Sequence, residues 1–202
     1  MSFFFRLKNT IFEAMKKLNY ILVFTICLVN FSLFSQFTVT QNNSATALAQ
    51  KLAGPGVVIS NATIVCPTAH SGVFGGAPVG LGIDSGIILA TGRAIDIKNN
   101  TGSTVFISTS ANAAGDASLN GLLTSLGETY TTNDACVLEF DITVTGDSLK
   151  FKYAMGSEEY PSFVCSSVND IFGFFISGPN PLGGNYVNQN VALIPEQLYL
   201  FL

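Results

Sequence analysis

Residues 137–144 decide the fold, and they read Val137-Leu138-Glu139-Phe140-Asp141-Ile142-Thr143-Val144. The residues alternate with a period of two over all eight positions, which predicts a β-strand with one buried face and one wet face. The turn residues Thr145-Gly146-Asp147 follow, and Leu149, Phe151 and Tyr153 then alternate with lysines. This order predicts an antiparallel hairpin in which the second strand begins directly after the turn.

Shorter strand signals lie on both sides of this predicted hairpin. The β-branched runs at residues 57–59 and 63–65, and the apolar stretch at 86–92 between two glycines, each predict a short strand. Residues 170–178 are apolar almost throughout, which is typical of a strand buried on both faces. Short strands separated by Gly, Pro and Asn favour a mainly β fold, an antiparallel β-sandwich.

Two short helices are expected within this β fold. Apolar residues recur at helical spacing from Ala45 to Leu52, after the capping residue Ser44 and before a Gly-Pro-Gly stop. A second helix is expected over residues 117–123, with Asp116 as its N-cap. The rest of the polar stretch 93–134 is expected to be an ordered loop.

Composition and charge exclude several classes of protein. The 202 residues are 48% hydrophobic and only 11% charged, which excludes a disordered chain. The formal net charge of −4 argues against nucleic-acid binding, because phosphate contacts need clustered cations. The chain has a single His, which excludes a site built from several histidines, and it has no Trp.

Residues 1–35 are expected to be a secretory signal peptide. A basic start at Met15-Lys16-Lys17 precedes an apolar run at residues 21–29, and Ser35 is a small residue at the expected cleavage point. The run is shorter than the roughly 20 residues of a membrane span, so we expect membrane contact only during export. Met15 is the expected true start. A retained membrane anchor and an acylated lipoprotein are the open alternatives.

Three cysteines, Cys66, Cys136 and Cys165, follow this leader. Export to an oxidising compartment permits one disulfide and leaves one thiol, and the sequence leaves all three pairings open. A hydrolase that uses Cys165 with His70 is disfavoured because nothing near either residue supports it. A structural disulfide is therefore expected.

The most distinctive stretch runs from residue 156 to residue 179 and reads Gly156-Ser157-Glu158-Glu159-Tyr160-Pro161-Ser162-Phe163-Val164-Cys165-Ser166-Ser167-Val168-Asn169-Asp170-Ile171-Phe172-Gly173-Phe174-Phe175-Ile176-Ser177-Gly178-Pro179. With the earlier blocks 85–92, 115–119 and 135–141, it resembles the choice-of-anchor L domain family over about residues 40–195. The resemblance implies an exported bacterial surface or secreted protein, many of whose relatives come from gliding bacteria of the Bacteroidetes type. It implies no catalytic activity.

Residues 36–195 are therefore expected to form a choice-of-anchor L-like β domain. Residues 196–202 are apolar and lack family character, whereas related proteins continue with further strands and a sorting region. We expect an atypical tail from a fragmentary gene, and a β fold that is incomplete at its C-terminus with an exposed sheet edge.

Five carboxylates are candidate calcium ligands, because calcium takes six to eight oxygens in flexible geometry. They are Glu158, Glu159, Asp170, Asp84 and Asp116. Adjacent glutamates on a strand point to opposite faces, so both reach one site only if a turn intervenes, and Pro161 favours such a turn. The alternative is that Glu158 and Glu159 are solvated or cap loop amides and that Asp170 begins a strand, since no spaced Asp/Asn calcium loop is present.

Tyr160 and Phe163 are the candidate ligand-contact residues, because polar loop residues flank both of them. Phe172, Phe174 and Phe175 are instead expected in the core, because the run around them is apolar. We expect a secreted or cell-surface binding or adhesion module without catalytic activity, with an extracellular glycan or protein as its partner. The alternatives are a glycoside hydrolase and a purely structural spacer of a larger adhesin. The hydrolase would use Glu158 and Asp170 as its two carboxylates.

Overall fold

The computed structural model describes residues 16–17, 37–76, 81–99, 109–146, 148–157, 163, 166 and 168–192. The chain divides into two compact units, residues 1–35 and residues 36–202. In the first unit only Lys16 and Lys17 are described, and both are helical. The rest of the predicted signal peptide and the tail 196–202 lie outside the described residues. No helix in the described part is long and apolar enough to span a membrane.

The described part of the second unit is built mainly from strands. In chain order its elements are β1 (Thr38–Gln41), α1 (Ala45–Leu52), β2 (Val57–Val65), β3 (Ser71–Gly75), β4 (Ser85–Leu89), a 3-10 helix (Ala94–Asn99), α2 (Ala117–Ser125), β5 (Val137–Val144), β6 (Phe175–Pro179) and β7 (Asn185–Asn190). The strands form three sheets, with the orders β1-β3-β4, β2-β5 and β6-β7. Every pairing is antiparallel. The predicted class, mainly β and antiparallel with two short helices, is confirmed, and the packing of these sheets into a sandwich stays a prediction.

Both helices begin where their caps predict. The Ser44 Oγ accepts a hydrogen bond from the Ala47 N–H at 3.4 Å, and Leu48 and Ala49 of α1 are fully buried. The Asp116 carboxylate accepts from the Leu119 N–H at 2.9 Å, which satisfies one of the free donors at the start of α2. Capping is a local interaction, and a sequence pattern is therefore enough to predict it.

The predicted hairpin after Val144 is wrong. Strand β5 pairs with β2, from Val57 opposite Val144 to Val65 opposite Val137, and residues 148–157 form no strand. The Thr145 N–H donates to the Gly56 carbonyl at 3.0 Å, so the chain leaving β5 is held beside the start of β2. A backbone held there by a distant strand does not fold back on β5.

Strand β2 joins two runs that the sequence treats as separate strands. The register shifts between Ser60 and Thr63, and Asn61 lies in this irregularity with a φ of 52°. Asparagine tolerates this left-handed backbone better than most residues, and a bulge accommodates it within one continuous strand. The Asn61 Nδ2 also donates to the Asp141 Oδ2 across the ladder at 2.6 Å.

The strand predicted over residues 170–178 is shorter and less buried than expected. Only Phe175–Pro179 forms β6, and its residues are half-buried or exposed. Within the described residues β6 pairs with β7 alone. Strand β7 is largely polar and reads Asn185-Tyr186-Val187-Asn188-Gln189-Asn190. A two-stranded sheet with such a partner does not bury β6 on both faces.

The most buried side chains of the described residues lie in or next to α1, the first sheet and the start of β5. The apolar members are Val39, Leu48, Ala49 and Ala94, and the polar members are His70, Ser71 and Asp134. Strands β1 and β3 approach so closely that a Cβ on Gly72 would lie 2.7 Å from the Thr40 carbonyl oxygen. Only glycine fits that contact without moving backbone.

Candidate functional site

Two chain segments run side by side before β6, and we call them the first arm (residues 148–157) and the second arm (residues 168–174). Phe151 of the first arm stacks on Phe174 of the second, with ring centroids 4.3 Å apart and planes 10° apart. Tyr153 packs against Phe172 at 5.0 Å. Residue numbers rise along one arm as they fall along the other, so the arms are antiparallel although they form no backbone ladder.

A hydrogen bond closes the arms at their far end. The Ser157 Oγ donates to the Asp170 Oδ2 at 3.0 Å. This bond therefore joins the two ends of the segment 158–169, which holds most of the predicted contact and calcium residues. Asp170 is half-buried there, so its carboxylate has a definite hydrogen-bonding role.

The rings of the arms remain partly open to solvent. Phe151 is 39% exposed, Tyr153 is 45% exposed and Phe172 is 37% exposed. We call Phe151, Tyr153, Phe172 and Phe174 the aromatic face. The prediction that Phe172 is a core residue is wrong, because its side chain is exposed although it packs on Tyr153. Phe174 and its neighbour Phe175 are half-buried.

Phe163 is the predicted contact residue that the structure describes. Its side chain is 41% exposed, and its carbonyl accepts from the Ser166 N–H at 2.9 Å, which makes a turn. The Ser166 Oγ in turn accepts from the Val168 N–H at 3.3 Å. These bonds order the end of the loop that leads into the second arm. Tyr160, the other predicted contact residue, lies outside the described residues.

The predicted calcium ligands are only partly described. Asp84 is exposed, Asp116 caps α2 and Asp170 bonds Ser157. Glu158 and Glu159 lie outside the described residues. Within the part of the chain that is described, no group of three or more His, Cys, Asp or Glu side chains could hold a metal ion. Calcium binding therefore stays a prediction that depends on the two glutamates.

A disulfide joins Cys66 to Cys136 and decides among the three pairings that the sequence left open. Cys66 directly follows β2 and Cys136 directly precedes β5, so the bond extends that ladder at the end where Val65 faces Val137. Cys165 lies outside the described residues. The expectation of a structural disulfide is confirmed.

A buried polar cluster beside this disulfide was missed by the sequence analysis. Asp134 accepts from the Ser110 Oγ at 2.5 Å and from the Ala113 N–H at 2.7 Å. The Ser110 hydrogen bond lowers the pKa of Asp134 below its ordinary value. Burial opposes this shift, whereas the Ala113 N–H and the charge of His70 add to it. The cluster assembles from separate loops, and no local pattern marks it.

His70 belongs to the same cluster, and only 2% of its surface is exposed. Its Nδ1 has no hydrogen-bond partner among the described residues. The His70 backbone carbonyl, by contrast, accepts a hydrogen bond from the Ala90 N–H at 2.9 Å. Such a side chain is poorly placed to meet a substrate, which weakens the hydrolase reading of this residue.

A groove of about 330 Å³ lies between α2 and the hairpin of β6 and β7. Small and polar residues line it together with Leu122 and Phe175; they are Ala117, Ser118, Gly121, Ser125, Asn188 and Asn190. The Asn188 Nδ2 donates to the Ser118 Oγ at 3.0 Å across it. These two residues are 70 positions apart, so the sequence offers no local signal for the groove beyond an asparagine-rich strand.

Comparison with known proteins gives one match. The model of a protein family described as Choice-of-anchor L domain matches residues 37–199. The match includes both arms, the aromatic face and the groove. No curated protein matches the chain, and no solved structure does.

Proposed function

Because this chain belongs to the choice-of-anchor L domain family, a family of exported bacterial surface proteins, we propose that it is a binding or adhesion module without catalytic activity. The observation that carries the proposal is the aromatic face, in which four rings pack in two pairs, one stacked and one tilted, while three of the rings stay exposed. An ordered apolar surface of this kind is ready to be covered by a ligand.

The stacking matters because it fixes the rings before a ligand arrives. Each aromatic pair contributes about 0.5–1.5 kcal/mol beyond the area that it buries. Rings that are already ordered lose little conformational entropy on binding, and aromatic residues dominate the energetics of protein interfaces for this reason. The order and the exposure of the aromatic face thus both support a role in binding.

The loop closed by Ser157 and Asp170 supplies the second part of the proposed contact surface. Binding residues commonly lie on loops that a rigid scaffold positions, and here the stacked arms are the scaffold. Phe163 presents an exposed ring from this loop, and Tyr160 is proposed to act with it. The proposed partner is an extracellular glycan or protein.

Binding by the secreted chain to arrays of extracellular glycans and matrix proteins tests this function. We expect retention on a defined subset of spots, and at least a tenfold loss for Phe163→Ala combined with Tyr160→Ala. Leu182→Ala is the matched control, because Leu182 is an apolar residue that is 95% exposed at the β6–β7 turn and lies outside both arms. Equal retention of the double variant and the wild type would remove the loop from the contact surface.

We also propose that calcium orders the loop, with Glu158 and Glu159 as ligands near Asp170. The support is chemical: three carboxylates within one closed loop offer the hard oxygen donors that calcium prefers. A thermal-shift titration should raise the melting temperature in calcium, reverse it with EDTA, and show no comparable rise in Glu158→Gln. An unchanged melting temperature in millimolar calcium would contradict the proposal.

A further inference from the structure

We propose that the groove between α2 and the β6–β7 hairpin is a second binding site and that it takes a neutral carbohydrate. The site lies outside the aromatic face and its loop, so the proposal goes beyond the function argued above. Three features of the described residues carry it: the uncharged lining, a bulge that aims Asn188 across the groove, and hydrogen-bonding capacity that its polar groups keep in reserve.

The lining selects the charge of the ligand. None of the described residues that line the groove carries a charge; its polar groups are hydroxyls and carboxamides. A phosphate or carboxylate ligand would find no cation there, and a cationic ligand would find no carboxylate. Phe175 and Leu122 also line the groove, and they suit an apolar surface of the ligand. Sugars present both hydroxyls and apolar C–H faces.

A bulge in β7 positions the central residue of the groove. Ile176 faces Gln189 and Gly178 faces Tyr186, so Ser177 alone stands opposite both Val187 and Asn188. Asn188 has a φ of 46°, and its N–H donates to the Ser177 Oγ at 2.9 Å. A left-handed residue inside a strand is uncommon, and bulges of this kind re-aim a side chain.

The effect of this bulge is to bring the Asn188 amide to α2. The Asn188 Nδ2 lies 3.0 Å from the Ser118 Oγ, and the Asn188 Oδ1 lies 3.4 Å from the same hydroxyl. The amide is therefore held in place before any ligand enters. A polar side chain that is already held beside an open groove loses little conformational freedom when a ligand binds.

The polar groups around the groove keep capacity to bond a ligand. The Ser125 Oγ donates to the Leu122 carbonyl at 2.7 Å and keeps its lone pairs as acceptors. The Asn190 Oδ1 accepts from the Phe174 and Ala192 N–H groups, which orients its Nδ2. That Nδ2 makes one long bond of 3.4 Å and retains a second hydrogen to donate. The groove residues thus offer both donors and acceptors, and sugar hydroxyls use both.

The groove volume of about 330 Å³ limits the ligand to a small one, at the lower end of the roughly 300–1,000 Å³ range of ligand pockets. Since the groove is open to solvent, a terminal sugar could enter while the rest of a glycan chain stays outside.

Saturation-transfer NMR on the protein tests the proposal with four neutral probes: maltotriose, cellotriose, mannotriose and N,N′,N″-triacetylchitotriose. We expect at least one to bind, and we expect Asn188→Gly and Ser118→Ala each to weaken it by about three- to tenfold. Glycine keeps the left-handed backbone of the bulge and removes only the amide. Asn185→Ala, on the same strand but outside the lining, is the matched control and should bind as the wild type does.

Three results would overturn the groove as the site: no binding of any probe, unchanged binding by Asn188→Gly, or loss of sugar binding in Phe163→Ala. The last result would place the sugar on the loop. Thermal melting of each variant separates lost binding from lost folding. Phe163 lies outside the groove. A failure of the groove proposal therefore shows in the Asn188→Gly variant, whereas a failure of the proposed contact surface shows in the Phe163→Ala variant.

Discussion

The Cys66–Cys136 bond should supply a large part of the stability of the folded domain. It closes a chain loop of 70 residues, for which the loop-closure entropy of the unfolded chain corresponds to about 4 kcal/mol at 25 °C. The whole stability of a domain is about 5–15 kcal/mol. Few apolar side chains among the described residues are fully buried, so the hydrophobic core cannot easily replace this contribution.

Replacing both cysteines tests the magnitude. We expect Cys66→Ser with Cys136→Ser to lower the free energy of unfolding by about 4 kcal/mol, measured by urea unfolding followed by circular dichroism. Reduction of the wild type with dithiothreitol should have the same effect. Cys165→Ser is the control, and it should leave the unfolding midpoint unchanged because Cys66 and Cys136 are already bonded to each other.

Two observations would refute this reasoning. Peptide mapping by mass spectrometry could find Cys165 bonded to Cys66 or Cys136, which would contradict the pairing itself. Alternatively, the double variant could unfold within about 1 kcal/mol of the wild type, which would mean that the β2–β5 ladder holds its register without the covalent bond.

Three further perturbations probe the local interactions. Asp134→Asn should lower the free energy of unfolding at pH 7 by about 1.5–3 kcal/mol, because charge-assisted hydrogen bonds are lost. Since the pKa of Asp134 is lowered in the folded state, its contribution to stability is present above pH 4 and falls as the pH drops through the folded pKa. Urea unfolding at pH 7 and at pH 2 should therefore show a smaller loss of stability in the variant at the lower pH. An equal loss at both pH values would contradict the direction of the pKa shift. Asp116→Ala should cost about 1 kcal/mol through the lost cap of α2, and Asp116→Asn should restore most of it in the same assay. Gly72→Ala should cost about 1–3 kcal/mol because its Cβ meets the Thr40 carbonyl, and a melting temperature equal to that of the wild type would show that β1 can move away.

The sequence predicts local features of this fold well. The two helices follow from caps and apolar spacing, and these are interactions between residues three or four positions apart. The alternation at residues 137–144 correctly predicts a strand. The predicted buried face is wrong over its second half, because Ile142 and Val144 are exposed. The alternation does not report the partner strand, and the pairing of β5 with β2 depends on contacts such as that of Thr145 with Gly56, 89 residues away.

The candidate sites are harder to predict for the same reason. Phe172 lies in an apolar run, which suggests that its side chain is buried. Burial depends on how many strands pack around it, and the local sequence does not show that number. The groove needs Ser118 and Asn188 to meet, and the buried cluster needs Ser110 to meet Asp134. Phe163, by contrast, is predicted as exposed from its polar neighbours, and the structure agrees.

The central claim, that this exported module binds an extracellular ligand without transforming it, can be tested by one measurement of retention and turnover together. The protein is incubated with the glycans and proteins that bind it on the arrays, and the recovered ligand is analysed by mass spectrometry. We predict that bound ligand is recovered intact and that Phe163→Ala combined with Tyr160→Ala lowers retention at least tenfold. Cleavage of a glycan by the wild type, lost in Glu158→Gln, would contradict the claim and support a glycoside hydrolase.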